Sequence, residues 1–266
     1  MRIETLVENT ACREDLTAEH GLSLYMQVKD HRILFDTGAT GAFADNAEKL
    51  GVDLAAVDFA VLSHGHYDHG GGLHRFLRSN PWAPVYVNRH AFEPHYNAKN
   101  QDIGLDPSLQ GNPRLLPVSG SKRLAPGITL LTCPRVPADT AGLTVMEQGV
   151  LHREDFRHEQ YLMVEEAGQK ILISGCSHKG ICNLMEYFRP DILIGGFHFM
   201  KVEDEMLLRQ AAEELLQYHA VYYTGHCTGQ RQYAIMKAIM EKAGLESKAR
   251  AIVFSLPVTD TAGMRL

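Results

Sequence analysis

The chain has 266 residues, with 26 Lys+Arg against 32 Asp+Glu for a formal charge of −6, and it is 45% hydrophobic and 22% charged. That balance suits a soluble globular protein with a sizeable core, and the expectation is a single domain over 1–266. A net acidic chain offers no general nucleic-acid-binding face, and no apolar run approaches the roughly 18 residues that cross a membrane. The opening stretch MRIETLVENTACREDL lacks the basic and apolar regions of a signal peptide. Cys12, Cys133, Cys176, Cys182 and Cys227 are odd in number and scattered. They argue against a disulfide framework and for a reducing, cytoplasmic setting. The unusual figure is fourteen histidines.

In chain order, short apolar runs recur, each followed by a turn rich in Gly, Ser or Thr. Buried strands are expected at 32–35 before Asp36-Thr37-Gly38 and at 59–63 before His64-Gly65-His66-Tyr67-Asp68-His69-Gly70. Between them, 43–50 reads as a short helix ahead of Gly51. The segment 81–137 holds nine of the eleven prolines, which break helix interiors and central strands. It therefore reads as surface loops, short strands and turns with the character of a lid or binding loop. Further strands are expected at 170–173 before Ser174-Gly175-Cys176-Ser177-His178, at 191–194 before Gly195-Gly196-Phe197-His198, and at 220–223 before Thr224-Gly225-His226-Cys227. A helix over 203–219 places Met206, Leu207, Ala211, Leu215 and Tyr218 on a helical period, with Leu208 also facing the core. A second helix, 230–242, ends before Gly244, a residue suited to a helix C-terminus. Strands interspersed with helices define an α/β protein. Polar tips from separate strands then converge at one edge if the strands share packed sheets.

The run His64-x-His66-x-Asp68-His69 packs four metal-ligand side chains into six residues. Imidazoles and a carboxylate suit zinc, iron and neighbouring divalent ions. Gly65 and Gly70 to Gly72 make this a loop, unlike the helical His-Glu-x-x-His arrangement. The ligands can therefore point in different directions and serve two ions, His64 and His66 on one, Asp68 and His69 on the other. No phosphate-cradling loop, dinucleotide fingerprint or serine nucleophile elbow is present.

Asp36-Thr37-Gly38 followed by Ser63-His64-Gly65-His66-Tyr67-Asp68-His69 resembles the metallo-β-lactamase-fold superfamily. That resemblance implies a four-layer αβ/βα sandwich with a metal centre, usually dinuclear, at one edge of two sheets. His20-Gly21-Leu22-Ser23, Ser174 to Gly180, Gly195 to His198 and Gly225 to Gly229 are similar to the branch of β-ribofuranosylaminobenzene-phosphate (methanopterin-precursor) synthase-like proteins. By the same resemblance His226 matches the final histidine ligand, and Cys176 stands where the bridging aspartate usually falls. A thiolate is a softer ligand, so two divalent ions are expected, zinc ahead of manganese or iron. The third histidine of the first site is His158 by position, with His178 as the rival. Asp36 is expected to orient the histidine loop through hydrogen bonds, and His198 to line the pocket as proton donor or anion contact. His20 is read as a buried structural histidine, Lys179 as a solvated surface lysine, and Cys227 as a thiol beside the site or simple packing.

The implied activity is that of a metal-dependent hydrolase using a metal-bound hydroxide on an ester or phosphoester of a small, anionic substrate. Asp68 would orient the nucleophilic water or accept its proton, and His198 or His178 would steady the leaving group. The alternatives are a transferase resembling the pterin-precursor synthase, joining an aminobenzoate to a phosphoribosyl donor, and a non-catalytic metal-binding protein. Neither nucleic acid nor membrane is expected as a partner.

Overall fold

A computed structural model of the chain describes residues 1–137, 139–247, 252–255 and 264–265. They group into two compact units: the described residues of Met1–Lys122, Ala138–Gln160 and Pro257–Leu266, and those of Arg123–Pro137 and Tyr161–Leu256.

In the first unit a seven-stranded sheet runs β17-β1-β2-β3-β4-β5-β7. Its strands are β1 (Arg2–Val7), β2 (Ser23–Val28), β3 (His31–Phe35), β4 (Phe59–Val61), β5 (Val85–Asn88), β7 (Leu115–Val118) and β17 (Met264–Arg265). β1 to β3 pair antiparallel, while β3, β4, β5 and β7 run parallel. Helices α1 (Ala42–Lys49) and α3 (Leu73–Ser79) contribute Phe43, Ala47, Leu73 and Phe76 to a core shared with Leu34, Ala60, Val85 and Val87. The register pairs Phe35 with Val61, so the Asp36 loop and the histidine loop leave the same edge side by side. A smaller sheet joins β6 (His95–Tyr96), β10 (Thr144–Glu147) and β11 (Val150–Arg153), with Val145 opposite His95.

The second unit has its own seven-stranded sheet, β16-β15-β14-β13-β12-β9-β8. It comprises β8 (Lys122–Ala125), β9 (Ile128–Leu131), β12 (Tyr161–Glu166), β13 (Gln169–Ile173), β14 (Ile192–Ile194), β15 (Val221–Thr224) and β16 (Ile252–Ser255). β13 to β16 are parallel, which brings the ends of β13, β14 and β15 to one edge. The β12–β13 hairpin turns on Ala167 and Gly168, both at positive φ, the backbone that a two-residue hairpin requires. Helices α4 (Ile181–Phe188), α5 (Glu205–Leu216) and α6 (Gln230–Ser247) complete the unit. Leu184, Met185, Leu208, Leu215, Met236 and Met240 pack with Leu172, Leu193 and Tyr222.

All five expected strands and all three expected helices are found, and both units are α/β. Three details differ. On α5 the buried positions are Leu208, Ala212 and Leu215, whereas Met206 and Leu207 are 68% and 54% exposed. The four- and three-residue steps of 208, 212 and 215 define one stripe, and the two apolar residues of the first turn lie off it. α6 continues through Gly244, because one interior glycine costs a helix only about 1 kcal/mol. The proline-rich segment is not all surface: it supplies β5 and β7 to one sheet and β8 and β9 to the other, burying Val85, Val87, Ile128 and Leu130. Pro117 is accommodated because β7 is an edge strand, where a missing N–H is tolerated. Among the described residues, no helix is long and apolar enough to cross a membrane.

Candidate metal centre

In the first unit the site begins at the end of β3. Asp36 takes a left-handed φ of 60°, a conformation that Asp tolerates better than most side chains. Its buried carboxylate accepts the Ser63 N–H at 2.6 Å, the Ser63 hydroxyl at 2.7 Å and the His69 Nδ1–H at 2.6 Å. Ser63 Oγ in turn accepts the Nδ1–H of His64 at 2.8 Å. A carboxylate only accepts, so this chain places a proton on Nδ1 of both His64 and His69 and leaves each Nε2 as a lone pair. Asp36 therefore has the orienting role expected of it.

After β4 the chain passes His66 in extended conformation and enters the single turn α2 (Tyr67–Gly70). Gly65 is required there: a Cβ at this position would lie 2.1 Å from the carbonyl oxygen of Ala91. Its N–H donates to Nδ1 of His158 at 2.8 Å. His64, His69 and His158 are fully buried, with His66 and Asp68 at 4% and 8% exposure. Ligand atoms of His64, His66 and Asp68 lie within 4.8 Å of one another. Asp68 Oδ2 is also 3.7 Å from His69 Nε2 and 3.4 Å from His20 Nε2. Burial, with the Asp68 charge adding to it, pushes the Tyr67 hydroxyl up. His20 is a correction to the sequence reading. Its side chain is 50% exposed beside Asp68 rather than buried in a core.

A second group in this unit, His66, His95 and His158, also has its ligand atoms within 4.8 Å. Sequence reasoning missed His95. It stands in a proline-flanked stretch with no ligand motif around it, and its partner Glu154 is 59 residues away.

In the second unit the carboxyl ends of β13, β14 and β15 carry Cys176, His198, and the pair His226 and Cys227. Ligand atoms of Cys176, His198 and Cys227 lie within 4.8 Å of one another. The rings of His178 and His198 are 4.3 Å apart. A Cβ at Gly196 would meet Cys227 Sγ at 2.3 Å, so this loop also depends on a glycine. Ser177, His198 and His226 all have positive φ, a clustering of strained backbone typical of functional sites. Burial alone would raise the Cys227 thiol. Hydrogen bonding to Cys176 and His198, with the charges of His226 and His198, holds it well below its ordinary value. Lys179 is buried at 6% exposure, which corrects its reading as a surface lysine: Gly180 turns the chain directly into α4 and carries Lys179 inward.

The candidate residues thus form two sets. His64, His66, Asp68, His69 and His158 belong to the first unit, and Cys176, His178, His198 and His226 to the second. Buried histidine, carboxylate and thiol side chains in such numbers, with two imidazoles fixed at Nδ1, are a donor set that fits divalent metal ions.

The chain belongs to the metallo-β-lactamase superfamily, whose family model matches residues 16–226. It is 30% identical over 220 residues to an uncharacterised protein of Methanocaldococcus jannaschii, covering 78% of this chain and 83% of that one. It is 27% identical over 261 residues to the 7,8-dihydropterin-6-methyl-4-(β-D-ribofuranosyl)-aminobenzene-5'-phosphate synthase of the same organism, covering 86% and 88% of the two chains. A crystal structure described as a metal-dependent hydrolase of the β-lactamase superfamily matches with a TM-score of 0.79 and 26% identity, covering 100% of this chain and 98% of that one. The fold is the one the sequence motifs implied.

Proposed function

We propose that the protein is a metal-dependent hydrolase acting on an ester or phosphoester of a small, anionic molecule. The observation that carries this reading is the Asp36–Ser63 network, which holds two buried imidazoles of the histidine loop with Nε2 as a lone pair. Hydrogen bonds of that kind prepare ligands for a metal and are of little use to a solvated polar loop. Family membership supports the same class.

In this reading two divalent ions, zinc by the presence of a cysteine ligand, are held by the superfamily's pattern of residues. His64 and His66 hold the first ion with His158 or His178; Asp68, His69, Cys176 and His226 serve the second. When bound, such ions acidify water and stabilise charge developing on a phosphoryl or carbonyl oxygen. Asp68 orients the attacking water or takes up its proton. His198, or His178 where His158 completes the first site, steadies the departing oxygen.

The test is hydrolysis of a chromogenic phosphodiester by zinc- or manganese-loaded protein against a chelated control. Turnover restored by metal supports the reading, and its absence at full metal occupancy counts against it. One observation favours a second reading, a transferase: the similarity to the aminobenzene-phosphate synthase covers 86% of this chain. Product analysis with an aminobenzoate and a phosphoribosyl donor separates the two, since only the transferase joins them.

A further inference from the structure

Buried in the first unit is an imidazole–carboxylate pair that none of the superfamily motifs includes. His95 on β6 has no solvent exposure and Glu154 is 2% exposed. His95 donates its Nδ1–H to Glu154 Oε2 at 2.7 Å. The other carboxylate oxygen accepts the Phe156 N–H at 3.0 Å, so the backbone fixes the carboxylate and the carboxylate fixes the ring. With the proton on Nδ1, Nε2 of His95 is a lone pair. This nitrogen is buried and has no hydrogen-bond partner among the described residues, an arrangement that costs free energy unless something occupies the acceptor.

What faces it is chemically specific. A ligand nitrogen of His95 lies within 4.8 Å of those of His66 and His158, and the His95 and His158 rings stack at 3.9 Å with 28° between their planes. Nδ1 of His158 faces a backbone donor, the Gly65 N–H, rather than a carboxylate. Within this group His95 is therefore the imidazole oriented in the carboxylate–histidine–metal manner.

We propose that His95 is a metal ligand through Nε2, with Glu154 as its positioning carboxylate, adding an imidazole to the set that the superfamily pattern assigns. The inference rests on the metal-dependent reading above. Two alternatives to it, a purely structural His95–Glu154 pair and a protein without metal, give different results in the following experiment.

Zinc stoichiometry and affinity are measured by competition with a chromogenic chelator for wild type, H95A, H95Q, E154Q and H66A. Both His95 variants should weaken binding of one zinc by at least the roughly 10- to 100-fold typical of lost supporting groups, and E154Q should weaken it within that range. In E154Q the Phe156 N–H keeps the amide oxygen, so the amide nitrogen faces His95 and drives its proton to Nε2, a change read from ¹⁵N-histidine shifts. Wild-type zinc binding in H95A and H95Q, with H66A impaired, overturns the proposal and spares the metal reading. No zinc on wild type overturns both. A measurement without substitutions covers the case of variants that fail to fold. In ¹¹³Cd-loaded, ¹⁵N-histidine-labelled wild type, a ¹⁵N–¹¹³Cd coupling at His95 Nε2 supports the assignment, and an uncoupled ring overturns it.

Discussion

Replacing Asp36 separates its structural from its orienting contribution. Its carboxylate takes three buried donors, from the Ser63 N–H, the Ser63 hydroxyl and His69 Nδ1. Asp36→Ala strands all three, and each buried donor left without its acceptor costs about 1–3 kcal/mol. Alanine at a φ of 60° adds about 1–2 kcal/mol. Against a total stability of about 5–15 kcal/mol, that variant approaches unfolding. Asp36→Asn is more informative. Its amide oxygen stays on the Ser63 N–H, and its amide nitrogen then faces Ser63 Oγ and His69 Nδ1. The hydroxyl can rotate to accept, but His69 must give up its Nδ1 proton and carry it on Nε2. The expected result is a loss of about 1–3 kcal/mol in stability and of about 10- to 100-fold in metal affinity. Urea unfolding, with the slope checked for constancy, gives the first quantity, and zinc competition gives the second. Wild-type zinc affinity in a folded Asp36→Asn protein would refute the argument that this network sets the tautomers.

Three further outcomes follow from the same geometry. Gly65→Ala forces a Cβ to 2.1 Å from a backbone oxygen and should cost about 1–3 kcal/mol. Gly41→Ala, whose nearest neighbour is Arg75 Cγ at 3.7 Å, should stay within about 1 kcal/mol of wild type; equal urea midpoints for the two variants would contradict the close-approach argument. Burial, with Glu214 adding to it, pushes the Cys182 thiol from 9.0 up to about 12. The folded protein therefore keeps this proton while the unfolded chain releases it, so the contribution is intact below pH 9 and lost progressively toward pH 12. Between pH 8 and pH 10 wild type should lose about 1.4 kcal/mol more than Cys182→Ala, and parallel urea series at the two pH values would show otherwise if burial of the thiol has no such effect. Asp68→Asn and His66→Ala should abolish phosphodiester turnover while unfolding cooperatively, and near-wild-type rates in either would exclude the proposed roles.

The β4 and β13 to β15 strands were legible because parallel strands inside a sheet are short, near-continuous apolar runs, each ended here by a glycine or serine turn. The histidine loop was legible because its ligands are adjacent in sequence, and Asp36 because its loop leaves the strand next to it. His95 was illegible for the opposite reason: its meaning lies in a hydrogen bond to Glu154 spanning 59 residues. Lys179 was misread because lysine is rarely buried, and nothing local shows that Gly180 directs the chain inward. The α5 stripe was misplaced because five apolar residues offer more than one helical period, and only the packed sheet selects among them.

The most direct test of the central claim is a zinc titration of chelated protein, followed by hydrolysis of a chromogenic phosphodiester. The account predicts no turnover in the chelated state and activity that rises with added zinc, saturating as the proposed two-ion centre fills. Full activity in the chelated protein, or none with zinc tightly bound, would contradict it.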